Sequence, residues 1–291
     1  MGGISISTDS GASFARVEGI AGLSQDVHMF GGEANSMAAV GTFVVLPSSQ
    51  ATPGSFSGLA VSTDGVGAKW DVNAIPNESY PRYGDFPSAS TWYVSAGMWN
   101  STESSVNAKE SDMHLTSRVK IDTLTGKKSV KVDVQDGSDG WYGAIYKTAD
   151  AGQTWTAVYN TPTDEQWYFN QISCPTEDLC VAVGEGQQGS SPYTVALVSN
   201  DGGATWKKTM ESTTYMSLMG VEMTSATNGF ITPANANRQT GTDFLVTTDG
   251  GQTWALSQTL DACYCMDIDS QDGFGVASCL TQSAGAIAMY Q

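Results

Sequence analysis

Five aspartates, Asp9, Asp64, Asp150, Asp201 and Asp249, sit in nearly the same eight-letter setting. The clearest copies read TADAGQTW from Thr148, SNDGGATW from Ser199 and TTDGGQTW from Thr247; looser ones are STDSGASF from Ser7 and STDGVGAKW from Ser62. Carboxylates beside flexible glycines could ligate a hard cation or act as an acid and base pair. A plainer chemistry competes with that one. Letters repeated at an interval mean repeated structure, and an Asp that accepts turn amides beside a Gly that tolerates positive φ makes a tight turn. The five aspartates are therefore expected to hold turns, with the Trp or Phe that closes each copy filling a crevice between sheets.

Other chemical signatures fail on context. GEGQQG, Gly184 to Gly189, has the letters of a dinucleotide-phosphate loop, but such a loop must open a helix and PYTVALVS reads as a strand. DIDSQDG, Asp267 to Gly273, resembles the start of a calcium loop, yet Ser278 stands where the closing Glu belongs, so a turn between strands is expected. With only His28 and His114, a histidine zinc site or a Ser-His-Asp triad has almost no material. No Gly-x-Ser-x-Gly elbow occurs, and no residue pattern calls for a metal or a cofactor.

The elements that must position these residues are strands. In 291 residues the chain has 32 glycines, 10% aromatics and only 15% charged residues, with strand-like runs such as TWYVSAG and FLVTT broken throughout by turn residues. No long helical periodicity interrupts them. The aspartates are 55, 86, 51 and 48 residues apart with 42 after the last, and an interval near 50 fits a four-stranded propeller blade. Between copies the text reads strand, polar turn, strand, and then a third strand that enters the next copy. The fold class expected is all-β, one domain over residues 1–291, with five blades and six as the alternative. The N-terminal piece would complete the C-terminal blade and close the ring.

On these five copies the chain resembles the Asp-box (BNR-repeat) β-propellers, a group that includes sialidases, sortilin-type receptors, xyloglucan-cleaving hydrolases and photosystem II assembly propellers. The resemblance spans nearly the whole chain and speaks to fold; unrelated activities share it. It implies that each box joins the third and fourth strands of a blade, on the rim and away from the central cavity. Sialidase chemistry would need three arginines gripping a carboxylate, a Tyr nucleophile helped by Glu, and an acid Asp. The chain has four arginines, Arg16, Arg82, Arg118 and Arg238, and no Phe/Tyr-Arg-Ile-Pro motif.

Propellers bind ligands where the first strands begin. Aligning the units places Asp26 and His28, then Arg82, Tyr83 and Asp85, then Trp167, Tyr168 and Asn170, then Tyr215, Met216 and Met219, then Asp261 and Tyr264 at that mouth. Aromatic faces beside carboxylates suit sugar, and a carboxylate pair ~5 to ~9 Å apart would suit its hydrolysis; the same aromatics could equally plug a narrow channel. The expected function is a non-catalytic binding or scaffold propeller for a glycan or protein partner. A sialidase-like or xyloglucanase-like glycoside hydrolase is the first alternative and a photosystem assembly-type factor the second.

The 86-residue interval holds an insertion over 100–140. HLTSRVKID, TLTG and KKSVKVDV read as a β-hairpin projecting from blade two, and Lys109, Arg118, Lys120, Lys127, Lys128 and Lys131 supply six of the 13 basic residues. Such lysines either protect an edge strand or contact a partner. A net charge of −17 repels phosphate backbones and anionic lipid, which disfavours nucleic acid. No apolar run reaches the ~18 residues of a membrane helix. Cys174 with Cys180, and Cys265 with Cys279, each flank a turn between strands and could bridge, leaving Cys263. With the sequons at Asn77 and Asn100 they suggest an extracytoplasmic setting, secreted or in an organelle lumen. Oligomeric state is left open.

Overall fold

A computed structural model describes residues 81–98, 142–235 and 242–260 continuously. It also describes residues 12–13, the side chains of Cys265 and Cys279, and the backbone of further strands between residues 5 and 290. Asp9, Asp26, His28, Asp64, Asp261 and the two sequon asparagines lie outside the described residues, and of Cys263 and Tyr264 only the strand backbone is described.

Among the described residues every regular element is an antiparallel strand. Strands β1 (Ser5–Ile6) and β2 (Ala15–Arg16) pair with each other. Sheet I orders β3 (Ser36–Met37), β4 (Thr42–Val45), β5 (Gly58–Ser62) and β6 (Asp71–Ala74). Sheet II orders β7 (Pro81–Asp85), β8 (Trp92–Met98), β11 (Tyr142–Thr148) and β12 (Thr156–Asn160). Between β8 and β11 in sequence, β9 (Arg118–Ile121) pairs with β10 (Lys128–Lys131). Sheet III runs β13 (Gln166–Ser173), β14 (Cys180–Gln188), β15 (Ser191–Ser199) and β16 (Lys207–Ser212). Sheet IV runs β17 (Tyr215–Met223), β18 (Gly229–Asn235), β19 (Thr242–Thr247) and β20 (Ala255–Leu260), and sheet V runs β21 (Cys263–Gln271), β22 (Phe274–Thr281) and β23 (Gly285–Tyr290).

Alternation along these strands sends side chains to both faces of a sheet, and sheets II to V stack on them in order. Tyr93 and Ile145 of sheet II meet Trp167, Phe169 and Leu197 of sheet III. The opposite face of sheet III, with Val181, Val183 and Val198, meets Leu218, Val221 and Ile231 of sheet IV. Trp167 and Phe169 are fully buried and pack edge to face with centroids 5.0 Å apart. Burying each contributes roughly 2–3 kcal/mol.

The first strands are stitched together by hydrogen bonds between sheets. The Val221 amide donates to Gln171 Oε1 at 2.8 Å and the Met223 amide to Ser173 Oγ at 3.0 Å. Tyr93 donates its hydroxyl to the Glu177 carbonyl at 2.8 Å, and Lys147 Nζ reaches the Gly202 carbonyl at 2.7 Å.

Two disulfides form, Cys174–Cys180 and Cys265–Cys279. The second joins residues directly opposed on β21 and β22. The GEGQQG segment is strand β14 running into a turn at Gly189, and Asp267 and Asp269 of DIDSQDG are strand residues, opposite Ser278 and Val276, while Asp272 and Gly273 lie outside the described residues. A strand is the backbone of neither a phosphate loop nor the start of a calcium loop.

Candidate functional site

The three described box aspartates are turn holders, and they repeat one another bond for bond. In each, the Thr or Ser two residues earlier donates to Oδ1, at 2.7 Å from Thr148, 2.9 Å from Ser199 and 2.8 Å from Thr247. Oδ1 also accepts an amide from four residues later, at 2.8, 2.8 and 2.9 Å, and that residue's hydroxyl donates to Oδ2 at 2.6 Å in all three. These bonds stabilise the charged form. Thr253 holds Asp249 down to about 2, and Thr205 lowers Asp201. Desolvation works against the same shift at Asp150, where Thr154 and Thr148 still prevail and lower it.

Each turn also clasps the first turn of its own sheet, through Ala151 to Ser90, Gly202 to Asp178 and Gly250 to Thr227. The box tryptophans Trp206 and Trp254 pack into the crevices that face the preceding sheet. Among the described residues no three His, Cys, Asp or Glu side chains gather where they could hold a metal ion.

At the opposite end of the sheets, where β7, β13 and β17 begin, no two sheets carry the same residues. Arg82 of β7 lays its guanidinium over the Tyr168 ring, 4.6 Å from the centroid, and donates from Nη2 to Asn170 Oδ1 at 3.1 Å. Asn170 passes the contact on, donating to Ser217 Oγ at 3.1 Å and to the Leu218 carbonyl at 3.0 Å. The Tyr168 hydroxyl donates to Glu185 of β14, its direct cross-strand partner. Ser217 contacts Met219 Sδ at 2.8 Å, and Met216 is exposed at the start of β17. Three consecutive sheets thus share one polar network of cation, aromatic face, amide and carboxylate.

Other mouth candidates lie elsewhere. Trp167 faces the crevice between sheets II and III, its indole donating to Glu165, because adjacent strand residues must point to opposite faces. Tyr83 packs into that same crevice. Asp85, on its own strand's crevice side, accepts the Phe86 amide at 2.7 Å and, across the sheets, the Cys174 amide at 2.5 Å. Desolvation raises it to about 6 against those bonds and one from Ser173. Tyr215 donates to Asp243 at 3.1 Å and is raised to about 12 by desolvation and that carboxylate.

Two features were not anticipated from sequence. Glu185 completes the Tyr168 contact from a second strand. Farther out, Lys208 donates to Glu165 at 2.6 Å, Tyr193 at 3.1 Å and Glu211 at 3.2 Å; desolvation opposes its charge, and these partners raise it nonetheless. Glu211 shares β16 with Lys208, but Glu165 is 43 residues away, so spacing in the sequence does not mark that cluster.

This stacking of sheets is found in known proteins. The chain has a β-propeller fold of the sialidase-like type. It resembles the NanB sialidase of Streptococcus pneumoniae at 13% identity and a TM-score of 0.51, covering 98% of this chain and 63% of that one. It resembles an ulvan lyase of polysaccharide lyase family 25 at 10% identity and the same score, covering 95% and 66%. YCF48 bound to D1 peptide matches at 12% identity with a TM-score of 0.39, covering 72% and 54%. The chain spans about half the length, or less, of this protein and of the xyloglucanase and Trypanosoma rangeli sialidase structures it also matches. No protein-family model matches the sequence. No curated protein matches it significantly.

Proposed function

We propose that the chain is a non-catalytic binding propeller, built of five blades with the 100–140 insertion projecting from the second, that works outside the cytosol. Its ligand, a glycan or protein partner, meets the edge where the first strands begin. The single observation that carries this reading is the Arg82–Tyr168–Asn170 network, with Glu185 completing it. It gathers a cation, an aromatic face and polar groups from separate sheets, which is how a ligand is oriented without reacting. The two disulfides support the extracytoplasmic setting.

A second reading is glycoside hydrolysis, favoured by one contact. A Tyr168 phenol donating to Glu185 beside a guanidinium is an arrangement that could make tyrosine a nucleophile. One experiment separates the two: a glycan array and a panel of aryl glycosides, each run with wild type, Arg82→Gln and Tyr168→Phe. Binding without turnover, weakened about tenfold or more by Arg82→Gln, is the expected result. Turnover abolished by Tyr168→Phe would replace the first reading with the second.

A further inference from the structure

One chain of hydrogen bonds at the edge where the first strands begin ends on sulfur. Arg82 of sheet II donates to Asn170 Oδ1 of sheet III at 3.1 Å, and Asn170 Nδ2 donates to Ser217 Oγ of sheet IV at 3.1 Å. The single hydroxyl proton of Ser217 then goes to Met219 Sδ at 2.8 Å. Asn170 and Ser217 are buried, whereas Met219 is partly exposed.

Strand β17 is bent where its thioethers lie. Its pairing with β18 steps from Tyr215 to Ser217 and from Leu218 to Gly220, passing over Met216 and Met219. Bulges of this kind re-aim side chains beside sites. Met216 is 39% exposed. Met210 and Met223, by contrast, pack into the apolar contact between sheets III and IV, Met223 with only 4% exposure.

We infer that Met219 is an oxidation site, converted to its sulfoxide by hydrogen peroxide or an alkyl hydroperoxide, and that the conversion resets the Arg82 network. A sulfur lone pair attacks the peroxide, the O–O bond breaks and an S–O bond forms; the sulfur is oxidised and the peroxide leaves as water or alcohol. In the thioether state the Ser217 proton rests on a weak acceptor, and its oxygen stays in place to receive Asn170. The sulfoxide oxygen is a strong acceptor on a side chain that has become polar. With Sδ and Oγ 2.8 Å apart, the new oxygen does not fit between them. It draws the Ser217 proton to a new position or competes for Asn170 Nδ2, and either change moves the amide that orients the Arg82 guanidinium. A methionine sulfoxide reductase reverses the step. The regulation rests on the binding role proposed for the Arg82 network; the oxidation and its effect on Asn170 do not.

The test treats the whole chain with dilute hydrogen peroxide. Peptide-mapping mass spectrometry follows the sulfoxides, and proton–nitrogen correlation spectra follow the assigned side-chain amide of Asn170. Met216 and Met219 should both oxidise, Met219 at least about tenfold faster than Met223. The Asn170 signal should move in step with Met219 sulfoxide and return on treatment with methionine sulfoxide reductase. The signal of Asn228, in the first turn of sheet IV at the box end, should stay. In Met219→Leu the Asn170 signal should no longer respond to peroxide although Met216 still oxidises; in Met216→Leu it should respond as in wild type. Any array glycan that wild type binds should be held about three- to tenfold more weakly by the oxidised chain. A Met219 no more reactive than Met223, or a Met219 sulfoxide that leaves Asn170 unmoved, would overturn the proposal. So would an oxidised chain that binds its glycan as the untreated one does. If neither state binds a glycan, the glycan-binding role falls, while a moving Asn170 signal still supports the oxidation site.

Discussion

The two ends of the sheets are built on opposite principles. At the box end, three turns on three sheets make the same hydrogen bonds to within a few tenths of an ångström. At the other end no contact repeats: Arg82 stacks on Tyr168, Asn170 bridges to Ser217, and Tyr215 turns to Asp243. Repetition marks what every sheet needs in order to stand beside its neighbour. The unrepeated end is free to differ from sheet to sheet, and that is where a ligand could be distinguished.

Substitutions can break this contrast, in descending order of effect. Gly251 has φ +81°, and an added Cβ would lie 3.0 Å from methyls of Val181 and Val198 on the preceding sheet. Gly251→Ala should cost about 3 kcal/mol, combining backbone strain with overpacking, measured by denaturant unfolding. Thr148 donates to Asp150 and accepts the Gly152 amide at 3.0 Å. Thr148→Val leaves the Gly152 amide without its acceptor and removes one of the two donors to Asp150 Oδ1, and should cost about 2 kcal/mol.

Asp85, at the end of β7 away from Arg82, responds to pH in the opposite sense to the box aspartates. A folded value near 6 against an ordinary 3.8 means that its contribution to stability is fully present below about 3.8 and is lost as pH rises through 6. The lowered box aspartates do the reverse, contributing above their ordinary value and losing that contribution as pH falls toward 2. Wild type should therefore gain about 1–2 kcal/mol over Asp85→Asn between pH 7 and pH 4, after discounting for the partial exposure of the group. Unfolding midpoints across that range would check it.

The smallest effect is a gain. Ala151 is the one described non-glycine residue with positive φ, 55°, at the position that Gly202 and Gly250 occupy in the other boxes. Ala151→Gly should stabilise by about 0.5–1 kcal/mol.

The box end was legible in the sequence because its chemistry is local. An Asp, a Gly two or three residues later and a hydroxyl four residues later close their own ring of bonds. The disulfides were legible for a similar reason, as both pairs flank a turn. Contacts at the edge where the first strands begin are legible only in part. Arg82 touches both Tyr168 and Asn170, but Arg82 and Asn170 are 88 residues apart, and spacing alone does not show which atoms touch. Unit alignment groups Trp167 with Tyr168, whereas strand alternation sends the two to opposite faces. Glu185 is not legible in the sequence because cross-strand register, which sets it opposite Tyr168, is fixed by hairpin geometry and not by a motif.

The most direct test compares calorimetric unfolding of Thr148→Val and Thr247→Val, at the box end, with Tyr168→Phe, at the mouth, on the same day and in the same buffer. Both box variants should fall by about 2 kcal/mol and the mouth variant by less than about 1 kcal/mol. A mouth variant that unfolds earlier than either box variant would contradict the division of labour on which the functional reading rests.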